Sequence, residues 1–406
     1  MNAGDLAWVL VSSSLIMLMT PAVGLFYGGM VRRKNVLSTI MMSFSVLALL
    51  TIQWVVYGYS LAFGPDVAHL IGTLDWVGLR GVDLNPEPHY AAGIPHLAFM
   101  LFQMKFAVIT PALISGAFVE RIRFSSFLIF CLLWTTLVYD PMAHWMWATN
   151  GWLHNLGALD FAGGTVIHIM SGVAALAMAL VIRKRKGFGK IPMEPNNVLL
   201  TIIGVVLLWF GWFGFNGGSA LAANGTAVYA IVTTNVAASA AALTWMLLSW
   251  RHSRPSVIGV ATGAVTGLVA ITPACGYVGV PAALIIGAVA AVVSYYCMQL
   301  RSRLNIDESL DVWACHGMAG TWGALATGIF ASKAVNPAGA DGWFFGNPHL
   351  FWVQLASVAV AWVFSFGMTY LIAKGIDAVH SLSVGISEEE VGLDISQHGE
   401  DLYAGL

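Results

Sequence analysis

Residues 158–186 read ALDFAGGTVIHIMSGVAALAMALVIRKRK. Between Ala162 and Ile182 there is no Asp, Glu, Lys or Arg. About 20 apolar residues are needed to cross roughly 30 Å of hydrocarbon, and this run supplies them. Asp160 stands at one end and the cluster Arg183, Lys184, Arg185 and Lys186 at the other. Basic residues mark the cytoplasmic end of a span, so the segment reads as a transmembrane helix running inward. It carries one ionisable side chain, His168.

The rest of the chain extends the pattern. Hydrophobic residues make up 58% of the 406 and charged residues 9%, against about 25% charged in a soluble domain. That excludes a soluble enzyme and specifies an all-α, polytopic membrane protein in contact with a lipid bilayer. A net charge of −2 provides no basic field for nucleic acid. Cys131, Cys275, Cys297 and Cys315 lie in apolar stretches without ligand spacing. Neither a disulfide framework nor a zinc site is expected. The N-terminal MNAGDLAW lacks a positive n-region, so the first apolar segment reads as a retained helix.

Eleven spans fit, over about 6–29, 38–63, 95–117, 126–146, 162–182, 197–215, 227–250, 257–274, 281–300, 312–331 and 350–376. The fourth is interrupted by Asp140 and Pro141. With the N-terminus outside, fifteen of the eighteen Lys and Arg fall on inner loops or the tail. Only Arg80 and Lys333 fall outside, and Lys105 lies within a span. The expectation is N-out and C-in, with a transmembrane domain over 1–376 and a short acidic cytoplasmic tail over 377–406.

The two halves carry related motifs. LFYGGM (25–30) ends span 1 and GFNGGS (214–219) ends span 6; HIMSGVAAL begins at His168 and HGMAGTWGAL at His316. Each His is followed four residues later by Gly, at Gly172 and Gly320. Spans 1–5 and 6–10 then read as an inverted repeat, which places a site near the midplane between halves. The competing account is chance similarity between Gly- and Ala-rich helices.

Ionisable groups inside a membrane cost about 2.5–3.5 kcal/mol on insertion scales, so they mark functional positions. At 1.5 Å per residue, His168 lies about 12 Å from the outer start of its span and His316 about 8 Å from the inner start of its own. Both fall toward the middle. A pair of neutral imidazoles accepts and donates hydrogen bonds without fixed charge. The alternatives are two separately satisfied core histidines or a metal site, and the metal reading lacks a third ligand. Asp160 fits an N-cap of span 5 as well as a direct cation contact, and Asp311 opens span 10 in the same manner. Phe102 and Phe106 share one face of span 3. With Trp147, Phe215 and Ser219 they sit near outer span ends, either as an interfacial belt or as an aromatic cation site.

Six stretches carry a resemblance that runs from the first span to the tail: MTPAVGLFYGGMVRRKN (19–35), ERIRFSSF (120–127), ALDFAGGTVIHIMSG (158–172), WFGWFGFNGGSALAAN (209–224), DESLDVWACHGMAGTWGALATGIF (307–330) and EEEVGLDISQHGE (388–400). They resemble the ammonium transporter family (Amt, of the Amt/Rh superfamily). The resemblance implies a homotrimer of eleven-helix protomers, each with its own pore, serving nitrogen uptake across the cytoplasmic membrane. It implies recruitment of ammonium at Phe102, Trp147 and Ser219, supported by Asp160. A gate of Phe106 and Phe215 follows, and then a pore with twin histidines His168 and His316 that passes ammonia. It also implies a PII-type signal protein docking on 183–196 and 377–406, and no cofactor.

Two departures from the family pattern bear on rate. Lys105 precedes Phe106, and helical phase places it at the border of the vestibule, where a cation would oppose ammonium as a modulator of transport. ATNGW follows Trp147's position where relatives carry glycines. These departures keep a second function open, an ammonium sensor that binds but scarcely conducts. No nucleophile–base set or cofactor loop is evident, so an enzyme is not expected.

Overall fold

The computed structural model describes residues 2–402. Its longer helices run in chain order as α1 (Ala3–Met30), α2 (Arg33–Phe63), α3 (His96–Ala117), α4 (124–147), α5 (Gly164–Val181), α6 (Val198–Gly218), α7 (Gly225–His252), α8 (Val257–Ile271), α9 (Val280–Arg303), α10 (313–330) and α11 (Pro348–His380). Asn and Ser residues begin several of them. Asn2 accepts from the Gly4 amide, Asn197 from Leu200, Asn224 from Ala227 and Ser256 from Gly259, satisfying amides that the first helical turn leaves open. Between α2 and α3 the loop folds into two short antiparallel hairpins, β1 (Asp66–Val67) with β2 (Ile71–Gly72) and β3 (Pro86–Glu87) with β4 (Ala91–Pro95).

Nine helices among the described residues are long and apolar enough to cross a membrane. Two expected spans come out shorter or mixed. The range 257–274 is helical over Val257–Ile271, fifteen residues. The range 312–331 consists of a π-helical segment, Trp313–Met318, followed by the α-helix Ala319–Phe330. The fourth span is not broken at Asp140 and Pro141. The chain passes through a π-helical segment, Thr135–Tyr139, and Pro141 sits in the first turn of the helix that follows, where a missing N–H is tolerated.

The face that carries the α1–α2 and α5–α6 loops and the tail is tied together by charge. Buried Glu120 accepts from Arg32 Nε at 3.0 Å and Arg185 Nη1 at 2.9 Å, and Arg185 Nη2 reaches Asp307 at 2.6 Å. Burial pushes the Glu120 and Asp307 carboxyls up, but the surrounding guanidiniums outweigh it and hold both below the ordinary carboxylate range. The tail docks onto the same loops. Glu389 binds Arg183 Nη1 at 2.6 Å and the Lys186 amide at 2.7 Å, while Asp394 accepts from the Leu37 and Ser38 amides. Too short to build its own core, the tail is ordered by these contacts, with Ile122 and Ser383 bridged as isolated β partners.

Candidate functional site

Three cavities follow one another along the molecule. The one at the end of the bundle that carries the hairpins, labelled the outer cavity, has a volume of about 410 Å³ and is lined by Phe102, Phe106, Trp147, Asp160 and Ser219, with Gln103 and Tyr277. The middle one is a constriction of about 10 Å³ lined by His168, His316, Phe215, Trp212 and apolar side chains, space for about one water-sized molecule. The one at the opposite end, labelled the inner cavity, about 190 Å³, is lined by His316, Cys315, Asp311, Tyr27 and neighbours. His316 lines both the constriction and the inner cavity.

α3 places Phe102 and Phe106 one turn apart, with ring centroids 5.0 Å apart. Phe106 meets Trp147 at 6.0 Å and Phe215 edge to face at 4.5 Å. Phe106 faces the outer cavity and Phe215 the constriction, so this ring pair separates the two. Both rings are almost wholly buried. The Ser219 hydroxyl donates to Phe215 O at 2.9 Å, leaving its lone pairs available.

Asp160 performs the capping role in full. Oδ1 accepts from Gly163 and Gly164 at 2.9 and 2.7 Å, and Oδ2 from Thr165 and Val166 at 2.9 and 3.0 Å. Its carbonyl accepts from Trp147 Nε1 at 2.9 Å. One residue thus orders the start of α5 and holds the indole of α4.

The histidines meet. His316 Nδ1 lies 3.2 Å from His168 Nδ1, with ring centroids 5.3 Å apart. One nitrogen of that contact donates and the other accepts, so the pair shares one proton there. His168 Nε2 has no hydrogen-bond partner among the described residues. The His168 ring stacks on Trp212 at 5.3 Å. Each histidine sits in a six-residue π-helical segment, Gly164–Ile169 or Trp313–Met318; such segments recur at functional positions. The motif glycines make the approach possible. A Cβ on Gly172 would overlap the Gly317 backbone and lie 2.9 Å from His316 C; one on Gly320 would lie 3.2 Å from His168 Cβ. Each glycine therefore opposes the histidine of the other helix.

Several expectations change. Asp311 does not cap α10 as Asp160 caps α5. Its side chain pairs with Arg301 at 2.6 Å, and Glu308 accepts from the Trp313 amide at 3.0 Å instead. Burial and then neighbouring Asp311 push the Glu308 carboxyl up to about 8. Lys105 is not among the residues lining the outer cavity. It continues a half-exposed stripe with Leu97 and Leu101 on α3, spaced one turn apart, and its Nζ contacts Met104 Sδ at 3.9 Å. Phase relative to Phe102 alone did not separate these two faces. Gln103 and Glu308 carry no sequence signal of their own, and Trp212 reads from sequence only as one of the aromatic residues ending span 6, belt or vestibule alike. The Trp212 side chain had no local signal distinguishing it from an interfacial tryptophan. Among the described residues no group of three metal-binding side chains occurs, and all four cysteines are free.

The model of the Ammonium Transporter Family matches residues 7–403. The chain belongs to the ammonium transporter family. Ammonium transporter Amt1 of Archaeoglobus fulgidus is 49% identical over 403 residues, covering 99% of this chain and 100% of the relative. The structure of Saccharomyces cerevisiae Mep2 superposes with a TM-score of 0.92 at 35% identity, covering 100% of this chain and 93% of that one. A structure described as a sensor Amt protein superposes at 0.89 with 28% identity, covering 97% and 98%. Family membership and the apolar helices make this a multi-pass membrane protein of a transporter family.

Proposed function

We propose that this ammonium transporter family member captures ammonium outside the cytoplasmic membrane and passes ammonia inward through a twin-histidine pore. The observation that carries the reading is the sequence of a wide aromatic cavity, an aromatic ring pair and a one-molecule constriction bearing both histidines. In the outer cavity Phe102, Phe106 and Trp147 offer ring faces worth about 0.5–2 kcal/mol each to a cation; the Ser219 oxygen accepts an N–H, and Asp160 holds the wall. Beyond the gate of Phe106 and Phe215, an ion would lose its hydration with no charge to replace it, at a cost of many kcal/mol. Ammonium escapes that cost by leaving its proton behind. Potassium has no proton to give, so deprotonation is the selectivity step. The neutral imidazoles then hydrogen-bond the passing ammonia, and their shared Nδ1 contact provides a route for a proton.

The proposed architecture is eleven crossings, N-out and C-in, in a homotrimer. An inverted repeat of helices 1–5 and 6–10 accounts for the paired π-helical segments and the reciprocal glycines. The transmembrane domain spans 1–376. The tail over 377–406 docks on the basic inner loops and, with 183–196, offers a surface for a PII-type signal protein.

The test is ammonium-driven current and uptake in liposomes. Replacing both His168 and His316 with Leu should abolish selective ammonium flux while leaving a folded, assembled protein. Unchanged flux and selectivity would refute the pore assignment. Saturable ammonium binding with neither current nor uptake in the unmodified protein would instead identify a sensor. Lys105, lying off the outer cavity, lends that second reading no support.

A further inference from the structure

Asp140 takes no part in the three-cavity path. It is fully buried in α4 beside Gln53 of α2, which is 3% exposed. Gln53 Nε2 donates to Asp140 Oδ2 at 2.8 Å. The remaining oxygens of the pair, Asp140 Oδ1 and Gln53 Oε1, have no hydrogen-bond partner among the described residues. Among the described residues no basic side chain forms an ion pair with the carboxyl, whose one partner is Gln53. His144, one turn on, commits Nδ1 to Ala62 O and Nε2 to Asp66. Lys105 on α3 contacts Met104. The adjacent Tyr139 hydroxyl is neutral and also unpartnered.

An ionised Asp140 would be an unpaired charge in the membrane, and it would add a second orphaned acceptor beside that of Gln53; both are strongly unfavourable. One proton removes both defects. Placed on Oδ1, it turns an acceptor into a donor to Gln53 Oε1 and closes a two-bond acid–amide ring. We propose that Asp140 is a resident proton-binding site outside the transport path, a neutral carboxylic acid clasped by the Gln53 amide.

The location gives the clasp a purpose. Gln53 immediately precedes the π-helical segment Trp54–Gly58, and Asp140 immediately follows the segment Thr135–Tyr139. The two irregular turns are thereby locked side by side. Trp147 lies seven residues beyond Asp140 in an uninterrupted helix, two turns on and on the same face. The clasp fixes the rotation of the half-helix that presents this indole to Asp160 O, which makes Asp140 a positioning residue.

Infrared difference spectra of the full-length protein in lipid at neutral pH, unmodified minus Asp140→Asn, test the assignment independently of transport. The expected result is a protonated-carboxyl C=O band that the variant lacks. Glu308, pushed up to about 8, contributes to both spectra and cancels. If Asp140→Asn does not assemble, Gln53→Leu reads the same group: the band must move to higher frequency as its hydrogen bond is lost. Only ionised-carboxylate bands in the difference, as a bound cation or a solvated carboxylate would give, overturn the proposal. So does a protonated-carboxyl band that Gln53→Leu leaves in place.

Discussion

Gly172→Ala is the smallest change that should disable the histidine pair without touching it. The added Cβ would overlap the Gly317 backbone and stand 2.9 Å from His316 C. Carbon contacts become favourable at about 3.5 Å, so α5 and α10 must separate locally by about 0.6 Å on the His316 contact alone. Added to the 3.2 Å Nδ1–Nδ1 distance, that gives about 3.8 Å, beyond hydrogen-bond range. The lost bond is worth about 0.5–1.5 kcal/mol, or roughly two- to twelvefold in rate if the pair must be intact for passage. Overpacking adds about 1–3 kcal/mol of destabilisation. Two further glycines calibrate the result. Gly320→Ala brings its Cβ 3.1 Å from Gly164 O and should be milder, while Gly367→Ala on α11 meets nothing within 4 Å and should be silent. Methylammonium uptake and thermal melting in detergent measure flux and stability separately. Native uptake and melting in Gly172→Ala, with the Gly320→Ala and Gly172→Ala effects indistinguishable from Gly367→Ala, would refute the argument that helix approach sets the histidine contact.

Asp160→Ala forfeits four backbone hydrogen bonds and should lose nearly all flux and about 2 kcal/mol of stability; Asp160→Asn keeps one acceptor oxygen and should retain part of both, which uptake and melting of the two variants side by side will check. Lys105→Thr should leave ammonium affinity and flux within about twofold, since the side chain lies off the outer cavity; liposome uptake with a clear gain in affinity would contradict that placement. Glu120 and Asp307 are held below the ordinary carboxylate range by Arg185 and its neighbours after burial is offset, so the folded state binds fewer protons than the unfolded. Their stabilisation is complete above an ordinary carboxyl pKa of about 4 and is lost as pH falls through the lower folded values. Melting temperature should therefore decline below about pH 4, and less steeply in a Glu120→Gln variant.

Much of the protein follows from local rules. A run such as 162–182 has no way to satisfy its backbone in hydrocarbon except as a helix, so the long apolar helices and their approximate edges are readable from linear sequence. Asp160 is readable as a cap because capping is a contact between near neighbours in the chain. Membrane depth follows from counting residues, which is why His168 and His316 could be placed near one level. What their side chains touch depends on how helices rotate and approach. The 3.2 Å imidazole contact, the Trp212 stack and the exclusion of Lys105 from the outer cavity each join residues distant in sequence or separate residues adjacent in it. The exchange of Asp311 for Glu308 at the start of α10 turns on whether Arg301, ten residues earlier, claims the nearer carboxylate. Hydropathy is a sum over side chains and survives without coordinates; hydrogen bonds and steric gaps are decided over tenths of an ångström, and only the packed helices supply those distances.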